Sequence, residues 1–544
     1  MAAVHCTFIL LIVCFAVADT EPPPSTIGSD GKPLRGAALR AKTNEEYDRL
    51  NGLAPDHFQK RADFINANKD RLNAKVKAQA DNNMEKFIKA REEQKKNRVP
   101  DAPEIEPFTM KPSEHLSIYD INEPLGLGEF LWDGDQDIHV PQLTEFFGLK
   151  DPTDQTTSLS RRKRQAMVDS QYPTDTWTQG VPYFFDPSLS ASGVAAVQTA
   201  IGFWQTYTCV RFMPVSSPSA STIKPVVRFY NGSGCSSPIG RSTDPSIVTQ
   251  DISLGTGCDT PGTAAHEIGH TIGLYHAQQR IDRDAWISIN TSNIIPSYVF
   301  AFSEASSSTN YNYGMRYDFR SIMHYGPYAF PINPAIPTIQ AFDWLSQYSI
   351  GASRMPTFTD VAVINYHYKC YDRCNTTVCY NGGLPNPNNC AVCQCPTGFA
   401  GKDCSAIAPA NGVVGSCGGL LTATADWTDL AISNQIGNGV WAGSTVEANC
   451  TWHIMAPAGK FVQFYVKSVG AGGSNSAHCS RDCYWAGVDI KWDSNKQPEG
   501  YRICCPDSYY WMNQSRDNRL IVMAYNYWFY TDFTLSYRIG NSTS

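Results

Sequence analysis

The distribution of cysteines is the feature that most limits how this chain can fold. Of the 18 Cys in 544 residues, two (Cys6 and Cys14) lie in the first apolar run, none occurs from there to Cys209, and sixteen follow. An even number of Cys, nearly all in the last two-thirds, predicts disulfide-bonded domains behind a cysteine-free leader. The length predicts roughly three or four domains.

Composition excludes two classes of protein. Hydrophobic residues make up 42 % of the chain, and 40 Gly accompany them, which is enough apolar content to build cores and excludes whole-chain disorder. The formal net charge of -7 argues against a polycation built for nucleic acid, so no nucleic-acid partner is expected.

Residues 1–18 are predicted to be a signal peptide, with an N-terminal core segment as the alternative. The apolar run 8–15 is too short to span a bilayer and ends in the small-x-small pattern Ala16-Val17-Ala18. No later stretch is apolar enough for a membrane span, so the chain is expected to be secreted and extracellular. Five glycosylation sequons are compatible with that location: Asn231, Asn290, Asn375, Asn513 and Asn541.

Residues 19–164 are predicted to be a propeptide. Residues 37–98 are charged and helical in character, with one apolar stripe in a Lys/Glu/Asn-rich background; its residues are Leu72, Val76, Met84, Phe87 and Ile88. The run Arg161-Arg162-Lys163-Arg164 has the R-x-K-R form that proprotein convertases of the secretory pathway cleave. Cleavage after Arg164 makes Gln165 the first mature residue; the alternative is an ordinary solvated basic surface.

Residues 266–276 predict a catalytic zinc site. His266 and His270 are four residues apart, so on a helix they share a face and can bind one ion, while Glu267 reaches the water and not the metal. Gly273 can adopt a positive φ and turn the chain, which brings His276 to the third ligand position. Three protein ligands leave one coordination position open, which is typical of catalytic and not structural zinc.

The second part of the signature is Ser321-Ile322-Met323-His324-Tyr325-Gly326, which fits the Met-turn that follows this zinc motif in metzincins. With both motifs, the chain up to Cys370 resembles the astacin family of zinc metalloendopeptidases. The resemblance implies an α+β metzincin catalytic domain over 165–370, starting near WTQGVPY at 177–183, with Tyr325 as a fourth ligand at rest that later stabilises the oxyanion. It also implies the disulfides Cys209–Cys370 and Cys235–Cys258.

The leader carries a candidate latency switch. Trp132-Asp133-Gly134-Asp135 resembles the family's F-x-G-D segment, with Trp in place of Phe. By resemblance, Asp135 ligates zinc in the zymogen and replaces the catalytic water; the alternative is a solvated charge in an acidic loop. Many family members carry Glu after the third His to meet the new N-terminus, but here Ala277 stands there, so insertion of the N-terminus stays open.

Two further modules are expected after the catalytic domain. The six Cys between 374 and 404 resemble an EGF-like module over 371–405, a small disulfide-rich unit, which implies the pairs Cys374–Cys390, Cys379–Cys393 and Cys395–Cys404. Residues 417–540 read as strands and resemble a CUB domain, a protein-binding β-sandwich, with Cys417–Cys450 as one bridge. The pairing among Cys479, Cys483, Cys504 and Cys505 is left open.

These features predict a secreted zinc endopeptidase made as a zymogen. The architecture resembles nematode astacins, which implies cuticle collagen or other extracellular matrix as substrate, in moulting, cuticle processing or hatching. One alternative is an inactive matrix-binding protein with EGF-like and CUB modules, which the presence of Glu267 disfavours. Another is an active digestive or tissue-invasive protease.

Overall fold

The computed structural model describes residues 57–105, 108, 110–111, 116–127, 131–138, 140–146, 166–167, 172–306, 310–374, 376–474 and 476–540. The expected signal peptide, the basic run, Gln165, Asn375 and Asn541 lie outside these ranges. None of the helices in the described ranges is long and apolar enough to cross a bilayer.

Four parts can be distinguished by residue range. They are the leader (57–146), the central domain (166–370), the cysteine-rich module (374–405) and the C-terminal domain (417–540). The helices are α1 His57–Lys95, α2 Ile118–Asn122, α3 Val140–Phe146, α4 Ala191–Tyr207, α5 Pro261–Thr271 and α6 Phe358–His367. Short 3-10 helices cover Pro218–Ala220, Ala277–Gln279, Arg283–Ala285, Thr291–Asn293, Pro296–Phe302, Trp344–Ser349, Cys370–Arg373 and Pro506–Ser508.

The leader begins with the 39-residue helix α1, which lies against the central domain. Its buried stripe lies further toward the N-terminus than the sequence predicts. Leu72 and Val76 are buried, as expected, whereas Met84 and Ile88 are 37 % and 50 % exposed. The stripe is completed by residues that the sequence pattern did not single out, Ala62, Phe64, Ile65 and Ala80.

The central domain is built on a five-stranded sheet in the order β3-β2-β4-β6-β5, in which only β5 is antiparallel to its neighbour. Helices α4 and α5 pack together beside it, and Trp204 of α4 donates a 3.1 Å hydrogen bond to the carbonyl of Ala265 in α5. The domain's strands are β1 Ala166–Met167, β2 Val181–Phe185, β3 Phe212–Pro214, β4 Val226–Tyr230, β5 Cys235–Ser236, β6 Thr249–Leu254, β7 Ile287–Ile289, β8 Asn310–Tyr311 and β9 Ile339–Ala341.

Two disulfides, Cys209–Cys370 and Cys235–Cys258, crosslink the central domain. The first joins the segment after α4 to the end of the domain, 161 residues later, and the second links β5 to the loop before α5. Closing so long a loop restricts the unfolded chain strongly, which stabilises the fold around the zinc motif.

The cysteine-rich module contains two small sheets and three disulfides. Its strands are β10 Leu384–Pro385, β11 Cys393–Gln394, β12 Phe399–Ala400 and β13 Ala406–Ile407. The disulfides are Cys374–Cys390, Cys379–Cys393 and Cys395–Cys404, the same pairs that an EGF-like module implies. Asn388 donates to backbone carbonyls of the central domain, and Phe399 packs on Ile521 of the C-terminal domain, so the module is fixed on both sides.

The C-terminal domain consists of two sheets that share one apolar core. Their orders are β14-β16-β21-β18-β19 and β15-β22-β17-β20. Side chains from both sheets, including Trp452, Val488 and Leu535, fill the core between them. The strands are β14 Gly419–Thr422, β15 Thr428–Gly437, β16 Gly443–Met455, β17 Phe461–Gly470, β18 Ala486–Lys491, β19 Tyr501–Ile503, β20 Asn513–Gln514, β21 Arg519–Trp528 and β22 Tyr530–Gly540.

Three disulfides crosslink this domain. Cys417 pairs with Cys450, and the pairing that the sequence left open is Cys479–Cys505 with Cys483–Cys504. The two adjacent bridges hold the loop before β18 against the segment after β19.

A buried ionic network joins the C-terminal domain to the central domain. Arg320, which directly precedes the Ser of the Met-turn, contacts the carboxylate of Asp489 in β18, and Arg502 of β19 donates to both oxygens of the same carboxylate at 2.9 and 3.0 Å. Arg502 also donates to the carbonyl of Ala352 in the central domain. The Met-turn and the C-terminal domain are therefore held in one arrangement.

Candidate active site

Helix α5 carries two of the three histidines of the zinc motif and the Glu between them. Thr260 caps its N-terminus by accepting a hydrogen bond from the backbone of Thr263, and Pro261 occupies the first turn, where no backbone donor is needed. His266, Glu267 and His270 are all buried on this helix. The spacing of four residues places both imidazoles on one face, as predicted.

The chain leaves α5 at Gly273, which has φ +107°. The backbone angle favours glycine, and a Cβ at this position would also lie in a tight contact, 3.1 Å from Nε2 of His367. The turn brings His276 back, with its Nε2 3.2 Å from Nε2 of His266.

All three imidazoles are oriented through Nδ1. The Nδ1 atoms of His266 and His270 lie 2.7 Å from the carbonyls of Ile322 and Leu274, and Nδ1 of His276 lies 2.6 Å from Oδ2 of Asp133. Each Nδ1 donates to its acceptor, which leaves the three Nε2 lone pairs directed toward one another.

Asp135 of the leader completes the group. Its Oδ2 lies 3.3 Å from Nε2 of His266 and 3.2 Å from Nε2 of His276, and its Oδ1 lies 3.8 Å from Nε2 of His270. The ligand atoms of the three His and Asp135 all lie within 4.8 Å of one another, and all four side chains are buried.

A tight turn delivers Asp135 to the histidines. Trp132 and Gln136 exchange backbone hydrogen bonds across a short loop, whose first two residues, Asp133 and Gly134, have φ of 54° and 83°. Glycine adopts a positive φ freely, and Asp is one of the few other residues that adopt it more often than most, so the Asp-Gly pair suits this turn. Trp132 is fully buried, with its ring 5.5 Å from that of Phe300, and anchors the turn.

This donor set fits zinc. Nε2 of His270 and Oδ1 of Asp135 are buried and have no hydrogen-bond partner among the described residues, which is costly unless a cation accepts their lone pairs. Burial lowers the pKa of His270 well below its ordinary value and favours the neutral imidazole that binds metal. Three imidazole nitrogens with one carboxylate oxygen are the ligand types that zinc prefers.

Glu267 lies beside the cluster with both carboxylate oxygens buried and without a hydrogen-bond partner among the described residues. Burial, and after it the charge of Asp135, raises the pKa of Glu267 well above its ordinary value. A cation at the histidines opposes this effect. The carboxyl is therefore not engaged in holding the fold of the described residues and is available for proton transfer.

Met323 forms the floor of the site. It is buried, and a Cβ on Gly269 of α5 would lie 2.9 Å from its sulfur, so glycine at 269 lets the Met-turn approach the helix. Asp360 of α6 holds the turn by accepting hydrogen bonds from Ser321 Oγ and from the backbone of Ile322.

The leader also contacts the side chain of Tyr325. Its hydroxyl donates a hydrogen bond to the backbone carbonyl of Asp133, and its ring centroid lies 4.9 Å from that of His276. Burial, and then the charges of Asp133 and Asp135, raises the pKa of Tyr325 well above its ordinary value, so the phenol stays protonated. His324, in contrast, contacts Tyr317 and the carbonyl of Tyr325, which are structural contacts.

Sequence reasoning missed three polar residues around His276. Asp133, named only as the variable residue of the F-x-G-D-like segment, contacts Nδ1 of His276, and the side-chain amide of Gln136 lies 2.9 Å from the same nitrogen. Gln278 donates to the Asp133 carboxylate at 3.4 Å and accepts from the backbone of Tyr325 at 3.1 Å. Ala277, where a Glu was expected by resemblance, is buried and bonds through its backbone to Met323. The Asp-Gly pair was the available signal for the turn, but no local signal indicated its partner.

The described sequons differ in accessibility. Asn231 is exposed, and Asn290 is half-buried. Asn513 is also half-buried, and its Nδ2 donates to the hydroxyl of Tyr501, so its amide already has a structural contact. Asn231 is thus the most accessible of the three.

A cavity of about 930 Å³ extends from the site. Its lining includes His266 and Tyr325 of the central domain, Tyr119 of the leader, and Tyr484 and Tyr527 of the C-terminal domain. The cleft is thus enclosed by three parts of the chain.

A helix with two His and a Glu, a third His beyond a glycine turn and a Met-turn beneath them define a zinc peptidase of the metzincin class. The model of the astacin peptidase family matches residues 169–369. Zinc metalloproteinase nas-31 of Caenorhabditis elegans is 35 % identical over 440 residues, covering 79 % of this chain and 68 % of that protein. Zinc metalloproteinase nas-27 of the same organism is 31 % identical over 435 residues, covering 77 % and 92 %.

Among solved structures, high choriolytic enzyme 1, a hatching enzyme zinc-protease from Oryzias latipes, is 27 % identical, with a TM-score of 0.32, over 40 % of this chain and 98 % of that one. The chain belongs to the astacin family and is a zinc-dependent metalloendopeptidase. The prediction of a zinc enzyme is therefore confirmed.

Proposed function

We propose that this protein is a secreted zymogen whose mature form cleaves extracellular matrix proteins such as cuticle collagen. The observation that carries the zymogen proposal is the position of Asp135, within 3.3 Å of two histidine Nε2 atoms. A leader carboxylate at this position competes with water for the fourth coordination position.

His266, His270 and His276 are the residues that hold zinc. When bound, zinc supplies a Lewis acid that polarises the scissile carbonyl and lowers the pKa of water. Glu267 takes a proton from the attacking water and passes it to the leaving amine. This role is supported by its buried carboxylate, which has no hydrogen-bond partner among the described residues. Tyr325, freed from the Asp133 carbonyl when the leader leaves, donates its O–H to the developing oxyanion.

Activation requires removal of the leader. Cleavage by a proprotein convertase after Arg164 separates residues 19–164 from a mature chain that starts at Gln165. The turn at 132–136 then loses its covalent link to the catalytic domain, and Asp135 can leave the histidines.

The remaining parts support an extracellular role. Eight disulfides join the Cys between residues 209 and 505 in pairs, and disulfides persist in an oxidising compartment. We assign the cysteine-rich module as EGF-like from its 1–3, 2–4, 5–6 pairing, and the two-sheet C-terminal domain as a CUB β-sandwich. The proposal of matrix substrates rests on the resemblance of this architecture to that of nematode astacins.

The test is N-terminal peptide profiling of cuticle matrix treated with purified mature enzyme, with Glu267→Gln as the matched control. New N-termini in collagens that appear only with the active enzyme support the proposal. Cleavage confined to non-matrix proteins would contradict it.

A further inference from the structure

The C-terminal domain presents a rigid loop to the catalytic cleft. Residues 479–485, here called the stapled loop, contain both Cys479, bonded to Cys505, and Cys483, bonded to Cys504. All four Cys are fully buried. Two crosslinks so close together in the sequence restrict the position of the loop, whereas surface loops are generally mobile.

The stapled loop lies on the wall of the cleft that contains the zinc site. Arg481, Asp482 and Tyr484 line the same cavity as His266 and Tyr325. The guanidinium of Arg481 lies 4.3 Å from the ring centroid of Tyr328 in the central domain. The wall is therefore continuous across the boundary between the two domains.

A second contact fixes the position of this wall. The guanidinium of Arg354, from the central domain, lies 3.5 Å from the ring centroid of Tyr484 and 3.7 Å from that of Tyr527, and it donates to the carbonyl of Tyr484 at 2.9 Å. A cation between two aromatic faces is a favourable contact when partly desolvated. The loop therefore keeps its place beside the cleft whether or not the leader is present.

In the precursor, an aromatic side chain of the leader fills the space in front of this wall. The ring centroid of Tyr119 lies 6.3 Å from that of Tyr325 and 5.9 Å from that of Phe330. The three atoms nearest to a Cβ on Gly326 would all belong to Tyr119, and the closest is its hydroxyl oxygen at 3.3 Å. Removal of the leader therefore vacates the position of the Tyr119 ring, a space that fits an aromatic side chain.

The leader also contacts the loop directly. The backbone of Lys111 donates to the carbonyl of Cys479 at 3.2 Å, and the backbone of Arg481 donates to the carbonyl of Lys111 at 3.3 Å. The stapled loop thus already exchanges main-chain hydrogen bonds with one leader residue, and bonds of this kind are how sheet edges bind peptides.

We propose that the stapled loop is a substrate-binding element of the protease. Arg481 and Tyr328, together with Gly326 and Phe330, form a subsite for an aromatic side chain of the substrate, in the place that Tyr119 occupies in the precursor. The C-terminal domain then contributes to sequence preference and not only to the location of the enzyme. This inference rests on the peptidase activity and is independent of which matrix protein is cleaved.

The test uses mature full-length enzyme and fluorogenic peptides that are identical except for Tyr or Ala at one position, scanned along both sides of the scissile bond. We expect one position at which Tyr raises kcat/KM about tenfold over Ala. Arg481→Ala lowers that ratio about two- to fivefold, chiefly through a higher KM for the Tyr peptide.

Two further variants separate a subsite from a folding effect. Arg538→Ala removes a matched cation that lies 4.5 Å from the ring of Trp427, outside the lining of the cleft, and leaves the ratio unchanged. Arg481→Lys keeps the charge but loses the planar stacking, so the ratio falls to an intermediate value. A wild-type enzyme without an aromatic preference at any position, or equal ratios for Arg481→Ala and wild type, overturns the proposal, whereas a failure to cleave matrix concerns the proposed substrate alone.

Discussion

Oδ2 of Asp133 in the leader lies 2.6 Å from Nδ1 of His276, the third histidine of the zinc motif. Asp133 and Asp135 therefore contact opposite sides of the same imidazole, one at Nδ1 and the other at Nε2. The backbone carbonyl of Asp133 accepts the hydroxyl of Tyr325 as well. One short turn thus engages a zinc ligand, the open coordination position and the oxyanion donor together.

Asp133→Asn is expected to weaken zinc binding in the precursor only. A carboxylate that accepts a hydrogen bond from a metal-ligating imidazole raises the basicity of that imidazole. Loss of such a partner typically costs about 10–100-fold in metal affinity. Competition with a chromophoric chelator measures the zinc affinity of precursor and mature forms. The mature form made from the variant lacks residue 133, so its affinity must equal that of wild type; equal affinities in both precursors would contradict this role for Asp133.

Glu267→Gln should retain zinc and lose most turnover, because an amide cannot take a proton from water. The loss of one general base typically lowers the rate about 10²–10⁴-fold. Zinc content by atomic absorption and kcat on a peptide substrate provide the two readouts. Retained zinc with near-normal turnover would refute the assignment of Glu267.

Asp135→Ala tests how latency works. In a chain whose residues 161–164 are changed to Ala, the leader stays attached, and the parent is expected to be secreted and inactive. If Asp135 holds the fourth coordination position, the added Asp135→Ala change opens it to water, and the uncut protein gains activity on short fluorogenic peptides.

The competing explanation for latency is steric. Tyr119 and the turn at 132–136 fill the cleft, and this blockage does not depend on the Asp135 carboxylate. Equal inactivity of the two uncut proteins, with zinc present in both, would leave steric blockage as the mechanism.

Arg320→Ala is expected to destabilise the protein by breaking the buried network between the central and C-terminal domains. Removing one partner of a buried pair costs about 3–5 kcal/mol, and the low end applies because Asp489 keeps its contact with Arg502. Thermal unfolding followed by circular dichroism measures the change. Arg316→Ala is the control, since its pair with Asp493 also joins the two domains but is more exposed, so its loss should cost less.

The same network predicts a pH dependence. Burial favours the neutral carboxyl, but Arg320 and Arg502 outweigh it and hold the pKa of Asp489 below its ordinary value. The stabilisation is fully present above the unfolded-state pKa, about 3.9, and is lost as pH falls through the folded-state pKa. Unfolding midpoints measured between pH 2 and 7 should show a loss of stability on the acid side in wild type and a smaller loss in Asp489→Asn.

Much of the site could be predicted from the sequence because its elements are local. The four-residue spacing of His266 and His270 and the glycine turn before His276 follow from helix geometry and backbone sterics alone. The contact between Asp133 and His276 spans 143 residues, and nothing in either local segment encodes it. In the same way, four Cys near the C-terminus allow several pairings, and only the packing of β18 and β19 selects Cys479–Cys505.

The error in the predicted apolar stripe of α1 has a similar cause. A helical period in the sequence marks a face, but the residues that are covered depend on which side of the helix the central domain meets. The covered side continues through Asn83 and Phe87, and Met84 and Ile88 lie one residue further round the helix, so they remain exposed. Phe87 instead packs edge-on against Phe342, with ring centroids 6.2 Å apart.

Cleavage alone is not expected to release the leader. The leader binds the C-terminal domain through the backbone pairs Val99–Tyr510 and Asn97–Met512, at 2.9 and 2.8 Å. The leader also contacts the central domain, where the guanidinium of Arg91 lies 4.7 Å from the ring centroid of Trp344. These contacts lie outside the catalytic cleft, so cutting the chain at residues 161–164 does not remove them, and the cut leader should remain bound.

Size-exclusion chromatography of the cleaved protein at micromolar concentration measures this retention. We expect the leader fragment to co-elute with the mature chain, with peptidase activity rising only on dilution or on further digestion of the leader. Arg91→Ala should speed dissociation, while Arg98→Ala, which removes an exposed contact with the carbonyl of Pro103 within the leader, should not. Immediate separation of the wild-type fragments, with full activity at the first time point, would show that these contacts do not retain the leader.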